Sequence, residues 1–315
     1  MWTNQAELTI RHKVLQYDTM MLRVRMARSV IDLGNGERSE AKLKHFQTSD
    51  HERIAYCIDD FSDPWAPAPT VLMLHSLMGH SGRFHAMVPA LARYFRVVRM
   101  DMRGHGGSTV PDRTKPLTLE RMTQDVRELL DHLELDGAHV IGNSAGGYLS
   151  QTLAIESPER VTSLSLFGST PGLSRSGAAK WLPQIAEKGL RPFLAETISD
   201  RFPVEQEKHE KIEWFLDECA KNDTGFITAA LELFTSLDWS DKLSEIRCPT
   251  LIVAAGGETV GSADHYTDMK QRILDSTLIY YQDMPHNICD IQPDRCSDDV
   301  LHFLRWNFPA LDHIR

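Results

Sequence analysis

The chain has 315 residues, a formal net charge of -10, and 42% hydrophobic against 25% charged residues. That length suits one large domain or two small ones with a sizeable core. The acidic balance argues against nucleic acid or an anionic membrane as partner. No run reaches about 18 apolar residues, so no membrane-spanning helix is expected. Cysteines 57, 219, 248, 289 and 296 are scattered, with no C-x-x-C pair. They read as thiols of a reducing compartment. The polar N-terminus lacks the apolar centre of a secretory signal, which makes the cytoplasm the default location.

Residues 1–44 carry eight Lys/Arg and five Asp/Glu, unlike the acidic remainder. Val14, Leu15, Met21, Leu22 and Val24 form only an imperfect helical pattern, which Gly34-Asn35-Gly36 ends. The segment reads as an N-terminal arm packed on its own domain or across a homodimer, with simple disorder as the alternative.

Strands are expected at 44–48 and 53–59, then at 70–74 after the prolines 64, 67 and 69. A helix follows over 84–95 through Met87, Leu91 and Tyr94, then a strand at 96–102 ending in the turn Arg103-Gly-His-Gly-Gly-Ser108. Residues 117–135 read as a helix, with Met122, Val126, Leu129, Leu130 and Leu133 on one face. Ala138–Ile141 and Val161–Phe167 are further strands. Alternating strands and helices imply a mostly parallel, doubly wound α/β sheet covered on both faces.

The rhythm breaks between Ser169 and Arg247, where no strand is expected over an interval far longer than an ordinary connection. Ile212, Phe215, Leu216 and Cys219 are helically spaced, as are Phe226, Ala230, Leu233 and Phe234, and Trp181, Phe193, Phe202 and Trp214 add aromatic bulk. Residues 172–240 therefore read as a helical cap inserted into a core made of 45–171 and 241–315. The alternative is a set of extra helices on the flank. Alternation resumes with a strand at 250–255, a helix near 263–273, a strand at 277–282 and a last helix from about 295 to 306.

The chemistry centres on Gly142-Asn143-Ser144-Ala145-Gly146, a G-x-S-x-G sequence between an apolar run and a helical one. At such a strand-to-helix turn a serine is held in a strained conformation with its hydroxyl projecting outward. A serine hydroxyl is a weak nucleophile and needs a base, and the base needs an orienting acid. Of fourteen histidines, only His286 follows the last expected strand and precedes the last helix. The acid belongs after 250–255, where Gly256-Gly257-Glu258 offers a carboxylate and Asp264 lies close behind. The oxyanion needs two backbone donors. Ala145 follows the serine, and Leu77, on the loop after 70–74, is the second candidate. Ser76 on that loop, with Trp181 and Phe215 of the cap, are the candidate substrate contacts. His75 reads as structural. His75, His80 and His85 lack an interleaved carboxylate, so no metal is expected, and the Asp101–Ser108 turn reads as architecture rather than as a phosphate cradle.

These residues together resemble the α/β-hydrolase family over roughly residues 45–310. The G-x-S-x-G turn, D-x-R-G-x-G-x-S at 101–108, Cys248-Pro-Thr-Leu-Ile-Val253 with its trailing acid, and Pro285-His286 all fall in family order. The His75-Ser76-Leu77 loop, running on to Val88-Pro-Ala-Leu91, is similar to the 3-oxoadipate enol-lactonase branch, as are the turn at 103–110 and the short cap. Met78 stands where that branch has Gly, and Asn143 where it more often has Leu. Gly142-Asn-Ser-x-Gly-Gly147 is also similar to the meta-cleavage-product C–C hydrolases. The resemblance implies a serine hydrolase acting on a small-molecule carboxylic ester or lactone through an acyl-enzyme, without a cofactor. C–C bond hydrolysis and ligand reception on a hydrolase scaffold are the alternatives.

Overall fold

The structure is a computed structural model and describes residues 42–112 and 114–311. The expected arm at 1–44, with its suggested dimer contact, lies outside the described residues except for its last three.

Eight strands form one sheet in the order β1-β2-β4-β3-β5-β6-β7-β8. In chain order they are β1 (Lys44–Gln47), β2 (Arg53–Asp59), β3 (Thr70–Leu74), β4 (Arg96–Met100), β5 (Ala138–Asn143), β6 (Val161–Phe167), β7 (Thr250–Ala255) and β8 (Ser276–Tyr281). β1 runs antiparallel to β2, and β2 to β4, while every other pair is parallel. β3, β5 and β7 are buried along their whole length, as expected of strands covered on both sides.

The side-chain period of two divides these strands between two cores. Leu72, Leu74, Val98, Val140, Leu164 and Ile252 face one, while Val71, Met73, Val97, Ile141, Leu251 and Val253 face the other. The helices are α1 (Val88–Ala92), α2 (Leu119–His132), α3 (Ala145–Glu156), α4 (Trp181–Lys188), α5 (Leu190–Glu196), α6 (His209–Ala220), α7 (Thr224–Thr235), α8 (Asp264–Arg272), α9 (Ile288–Ile291) and α10 (Pro293–Asn307). α2 begins where Thr118 accepts the Arg121 N–H, and buries Met122, Val126, Leu129 and Leu130 against the first core. Val300 and Leu304 of α10 close the second.

The helix expected over 84–95 is reduced to α1, preceded by a 3₁₀ turn at Ser81–Phe84. Pro89, in the first turn of α1, has no N–H to extend the helix backwards. Four helices, α4 to α7, occupy the interval between β6 and β7, with no strand among the described residues there. No helix of the described residues is long and apolar enough to cross a membrane.

Parallel pairing turns the carboxyl ends of β3, β5, β6, β7 and β8 toward one edge of the sheet. The loops carrying Leu77, Ser144, Glu258 and His286 all leave from that edge, where ligands of open α/β sheets bind.

Candidate active site

Ser144 joins β5 to α3 with φ +51 and ψ -117, a conformation that L-residues rarely adopt. Its own backbone is tied on both sides. Its N–H donates to Phe167 O at 2.9 Å, and its carbonyl accepts from the Ser169 hydroxyl at 2.9 Å. The two motif glycines have a steric cause. A Cβ at Gly146 would lie 2.1 Å from Leu74 O, and one at Gly142 would lie 2.5 Å from Gly147 Cα. No side chain fits where α3 crosses so close to the end of β3.

The Ser144 hydroxyl donates to His286 Nε2 at 2.9 Å. On its other side His286 Nδ1–H donates to Glu258, 2.8 Å from Oε2 and 3.0 Å from Oε1. Nδ1 therefore carries the proton, and Nε2 has its lone pair toward the serine. β7 and β8 are sheet neighbours, and their following loops are stitched together: Gly256 N–H donates to Tyr281 O and Gly257 N–H to Met284 O, both at 2.9 Å. That stitching presents Glu258 to His286. The fully buried Glu258 carboxylate also accepts the N–H groups of Val260 at 2.8 Å and Gly261 at 2.9 Å, and the Tyr266 hydroxyl at 2.8 Å. Burial opposes its charge, but the His286 ring and these donors outweigh burial and hold its carboxyl down to about 2. Asp264, the other acidic candidate, is the exposed first residue of α8 and takes no part in this chain of bonds.

Ala145 begins α3, so its N–H has no acceptor within the helix. Leu77 and Ser76 lie on the loop after β3, which two buried histidines anchor. Met102 N–H donates to His75 Nε2 at 2.9 Å, leaving the His75 Nδ1–H to bond Ser76 O at 2.8 Å. Met78 N–H donates to His105 Nε2 at 3.2 Å, and His105 Nδ1–H to Arg103 O at 3.0 Å. Burial, reinforced by the neighbouring His105, pushes His75 well below the ordinary histidine value, and burial brings His105 down to about 4. Both rings are neutral connectors between the loops after β3 and β4. Met78, standing where the sequence resemblance leads one to expect glycine, has a left-handed backbone at φ +64. Its bond to His105 holds it there against the strain.

The turn after β4 is architecture. Asp101 accepts from Ser81 N–H at 2.6 Å and Gly107 N–H at 2.8 Å, and the Arg103 fork bonds Asp125 through Nε and Nη2, each at 2.6 Å. His80 caps the turn at 81–84 by accepting Gly82 N–H, and both His80 and His85 meet the Trp214 ring edge-on.

One cavity borders the serine. Ser76, Leu77, Ala145 and His286 line it from the sheet side, and Trp181, Phe215, Leu231 and Phe234 from the helices between β6 and β7. Its volume is about 50 Å³. All eight site candidates of the sequence thus come together: Ser144, Glu258 and His286 in one line of hydrogen bonds, and Ser76, Leu77, Ala145, Trp181 and Phe215 around the cavity. Sequence reasoning missed Tyr148, Arg201 and Asn287, which also line it. Asn287 was findable as the neighbour of His286, but Arg201 has no local signal.

Comparison with known proteins bears on the family. Residues 69–293 match the model of the alpha/beta hydrolase fold family. The chain is 30% identical over 213 residues to 3-oxoadipate enol-lactonase 1 of Acinetobacter baylyi, covering 65% of this chain and 77% of that protein. Among solved structures, a hydrolase from Pseudomonas aeruginosa superposes with a TM-score of 0.75 at 30% identity, covering 84% of this chain and 98% of the other. The enol-lactonase of Burkholderia xenovorans gives a TM-score of 0.76 at 22% identity over 83% and 99% of the two chains, a likeness of fold. Family match, sheet order and the strained serine turn converge: the chain belongs to the α/β-hydrolase family and is related to the 3-oxoadipate enol-lactonases.

Proposed function

We propose that this hydrolase cleaves a carboxylic ester or lactone through an acyl-enzyme on Ser144. The observation that carries the reading is the unbroken line from the Ser144 hydroxyl through His286 to the buried Glu258 carboxylate. The relatives named above supply the substrate class.

In this mechanism the Ser144 hydroxyl attacks the substrate carbonyl while its proton passes to His286 Nε2. Glu258, already ionised and held by three other donors, stabilises the imidazolium that forms. The carbonyl oxygen becomes an oxyanion facing the N–H groups of Ala145 and Leu77, which need no reorganisation because their loops are anchored. Collapse breaks the C–O bond, and the leaving alkoxide takes the proton from Nε2. In a lactone the alkoxide belongs to the same molecule and stays tethered. Water, deprotonated by the same nitrogen, then attacks the acyl-enzyme, and Ser144 recovers its proton as the acid leaves.

On this reading residues 172–240 form a cap over a core of 45–171 and 241–315. The cap's apolar contribution to the cavity favours an apolar acyl group beside Ser144. The cysteines are linked by no disulfide, which favours a cytoplasmic setting. The test is direct. Wild-type protein should hydrolyse an activated nitrophenyl ester, and a fluorophosphonate should label Ser144 alone. Ser144→Ala should lose about a millionfold in kcat, retaining only what binding and the oxyanion donors supply. Labelling elsewhere, or turnover by the variant near the wild-type rate, would sink the assignment.

A further inference from the structure

Four arginines of the described residues are buried: Arg83, Arg99, Arg103 and Arg201. Three of them face a carboxylate. Arg83 Nε donates to Asp290 at 2.8 Å, Arg99 Nε to Asp59 at 2.8 Å, and Arg103 grips Asp125 with Asp50 behind it. Arg201 is the exception. It is 6% exposed, yet no carboxylate of the described residues lies within ion-pair distance. Its Nη1 donates to Thr197 O and Thr197 Oγ1, both at 3.0 Å. The guanidinium stands 5.4 Å from the Trp181 ring centre and 5.9 Å from that of Phe193. Rings and a carbonyl soften the cost of burying the charge but do not neutralise it. Burial correspondingly pulls its pKa below the ordinary arginine value.

Asp200 and Glu258 act on Arg201 through space only, without a hydrogen bond to it. Glu258 is saturated by His286, Tyr266 and two backbone N–H groups, and Asp200 accepts the Thr259 hydroxyl at 3.1 Å. A second donor is in the same condition. Asn287 is 6% exposed, and its side-chain Nδ2 is buried without an acceptor. Arg201 and Asn287 are held side by side, since Asn287 N–H donates to Arg201 O at 3.3 Å. Both line the cavity beside Ser144, whose remaining wall is largely apolar. A folded protein rarely leaves a buried cation and a buried amide donor unanswered in one place, unless the answer comes with the ligand.

We propose that Arg201 and Asn287 form a carboxylate-binding subsite, so that the substrate carries a free carboxylate remote from the carbonyl that Ser144 attacks. Attack by Ser144 on a carbonyl rests on the preceding reading; the subsite itself does not. A carboxylate suits these donors better than a point anion. Nη1 is occupied by Thr197, which leaves Nε and Nη2, the planar edge that meets both oxygens of a carboxylate. The contact is distant from the reacting atoms and is made alike in ground and transition states. Its removal therefore raises KM more than it lowers kcat.

The experiment measures binding, independently of turnover. Full-length Ser144→Ala protein is titrated calorimetrically with monomethyl glutarate, which has one carboxylate, and with dimethyl glutarate, which has none. The half-ester should bind at least tenfold more tightly than the diester. Adding Arg201→Gln should weaken the half-ester by about 30-fold or more, the usual result of deleting one member of a desolvated charge pair. Arg201→Lys, which keeps the charge without the fork, should fall between. Should Arg201→Gln fail to fold, Asn287→Asp serves the same end. It gives Arg201 an internal carboxylate and should abolish the discrimination. Equal binding of the two ligands, no half-ester binding at millimolar concentration, or discrimination that survives either variant would overturn the subsite. Discrimination in a protein that turns over no ester would instead leave the subsite standing and overturn the hydrolase reading.

Discussion

Replacing Glu258 by Gln tests the acid of the proposed mechanism with almost no change of shape. The consequence follows from the four donors around the carboxylate. Val260 and Gly261 N–H both point at Oε1, so the amide oxygen of Gln must stay there, and the NH₂ takes the place of Oε2. That position faces His286 Nδ1 and the Tyr266 hydroxyl, each at 2.8 Å. At the shorter contact the NH₂ and Nδ1–H are then two donors face to face, while Oε1, 3.0 Å from Nδ1, already accepts two N–H groups, and the imidazole relieves the clash by moving its proton to Nε2. In that tautomer Nε2 has no lone pair for the Ser144 proton. We expect kcat to fall on the order of 10⁴-fold with KM little changed, measured on a nitrophenyl ester. Asp264→Asn, on the exposed start of α8, should stay within about tenfold of wild type. The same carboxylate gives a stability signature. Its folded pKa of about 2 lies below its ordinary 4.5, so its contribution is present above pH 4.5 and is lost as pH falls through the folded value. That contribution is about 3 kcal/mol, and Gln removes it together with the pH dependence over that window. Refutation is clear-cut: Glu258→Gln within tenfold of wild type, or Asp264→Asn the more damaging, would move the acid elsewhere.

Two further outcomes test the serine turn and the cavity wall. Gly146→Ala would set a Cβ 2.1 Å from Leu74 O, a backbone atom that cannot swing aside; we expect loss of soluble protein or of fluorophosphonate labelling, and normal labelling at normal yield would refute the packing argument. Phe215 is 4% exposed, lies under Arg83 at 4.6 Å and meets Phe202 edge-on. Phe215→Ala should cost about 3–5 kcal/mol in denaturant unfolding and shift acyl preference toward longer chains, whereas an unchanged chain-length profile would make it packing alone.

What could be read from the residues in order, and what could not, divides along physical lines. The strands were legible because a sheet covered on both faces demands continuous apolar runs, as in Thr70–Leu74 and Thr250–Ala255. The meeting of Ser144, Glu258 and His286 was legible because each sits just past a strand end, and parallel pairing brings those ends together. Helix length at 84–95 was overestimated: the apolar spacing was right, but Pro89 fixes the start of α1 and the turn before it tightens to 3₁₀. The left-handed backbone of Met78 was also out of reach, since its support, His105, comes from a turn 27 positions away. Arg201 shows the same limit for charge. Whether an arginine is paired depends on which carboxylates the fold brings near, and Arg83 and Arg201 look alike along the chain.

The connection between the helices of the cavity wall and the histidine is closer than the word cap suggests. His286 N–H donates to Asp200 O at 3.2 Å, and Asn287 N–H to Arg201 O at 3.3 Å. The loop after β8 is therefore held by main-chain bonds to residues 200 and 201, which lie between α5 and α6. A helical lid that swung away as a rigid body would break both bonds and release the His286 backbone along with the cavity roof. The geometry favours the opposite division of labour. The segment around Arg201 is docked against that loop, fixing the His286 backbone from behind while the Arg201 side chain lines the cavity. Under the proposed mechanism and subsite, anion recognition and the placement of the base would both depend on one short stretch of chain. Binding of a carboxylate at Arg201 would stiffen the same backbone that holds the imidazole 2.9 Å from the serine.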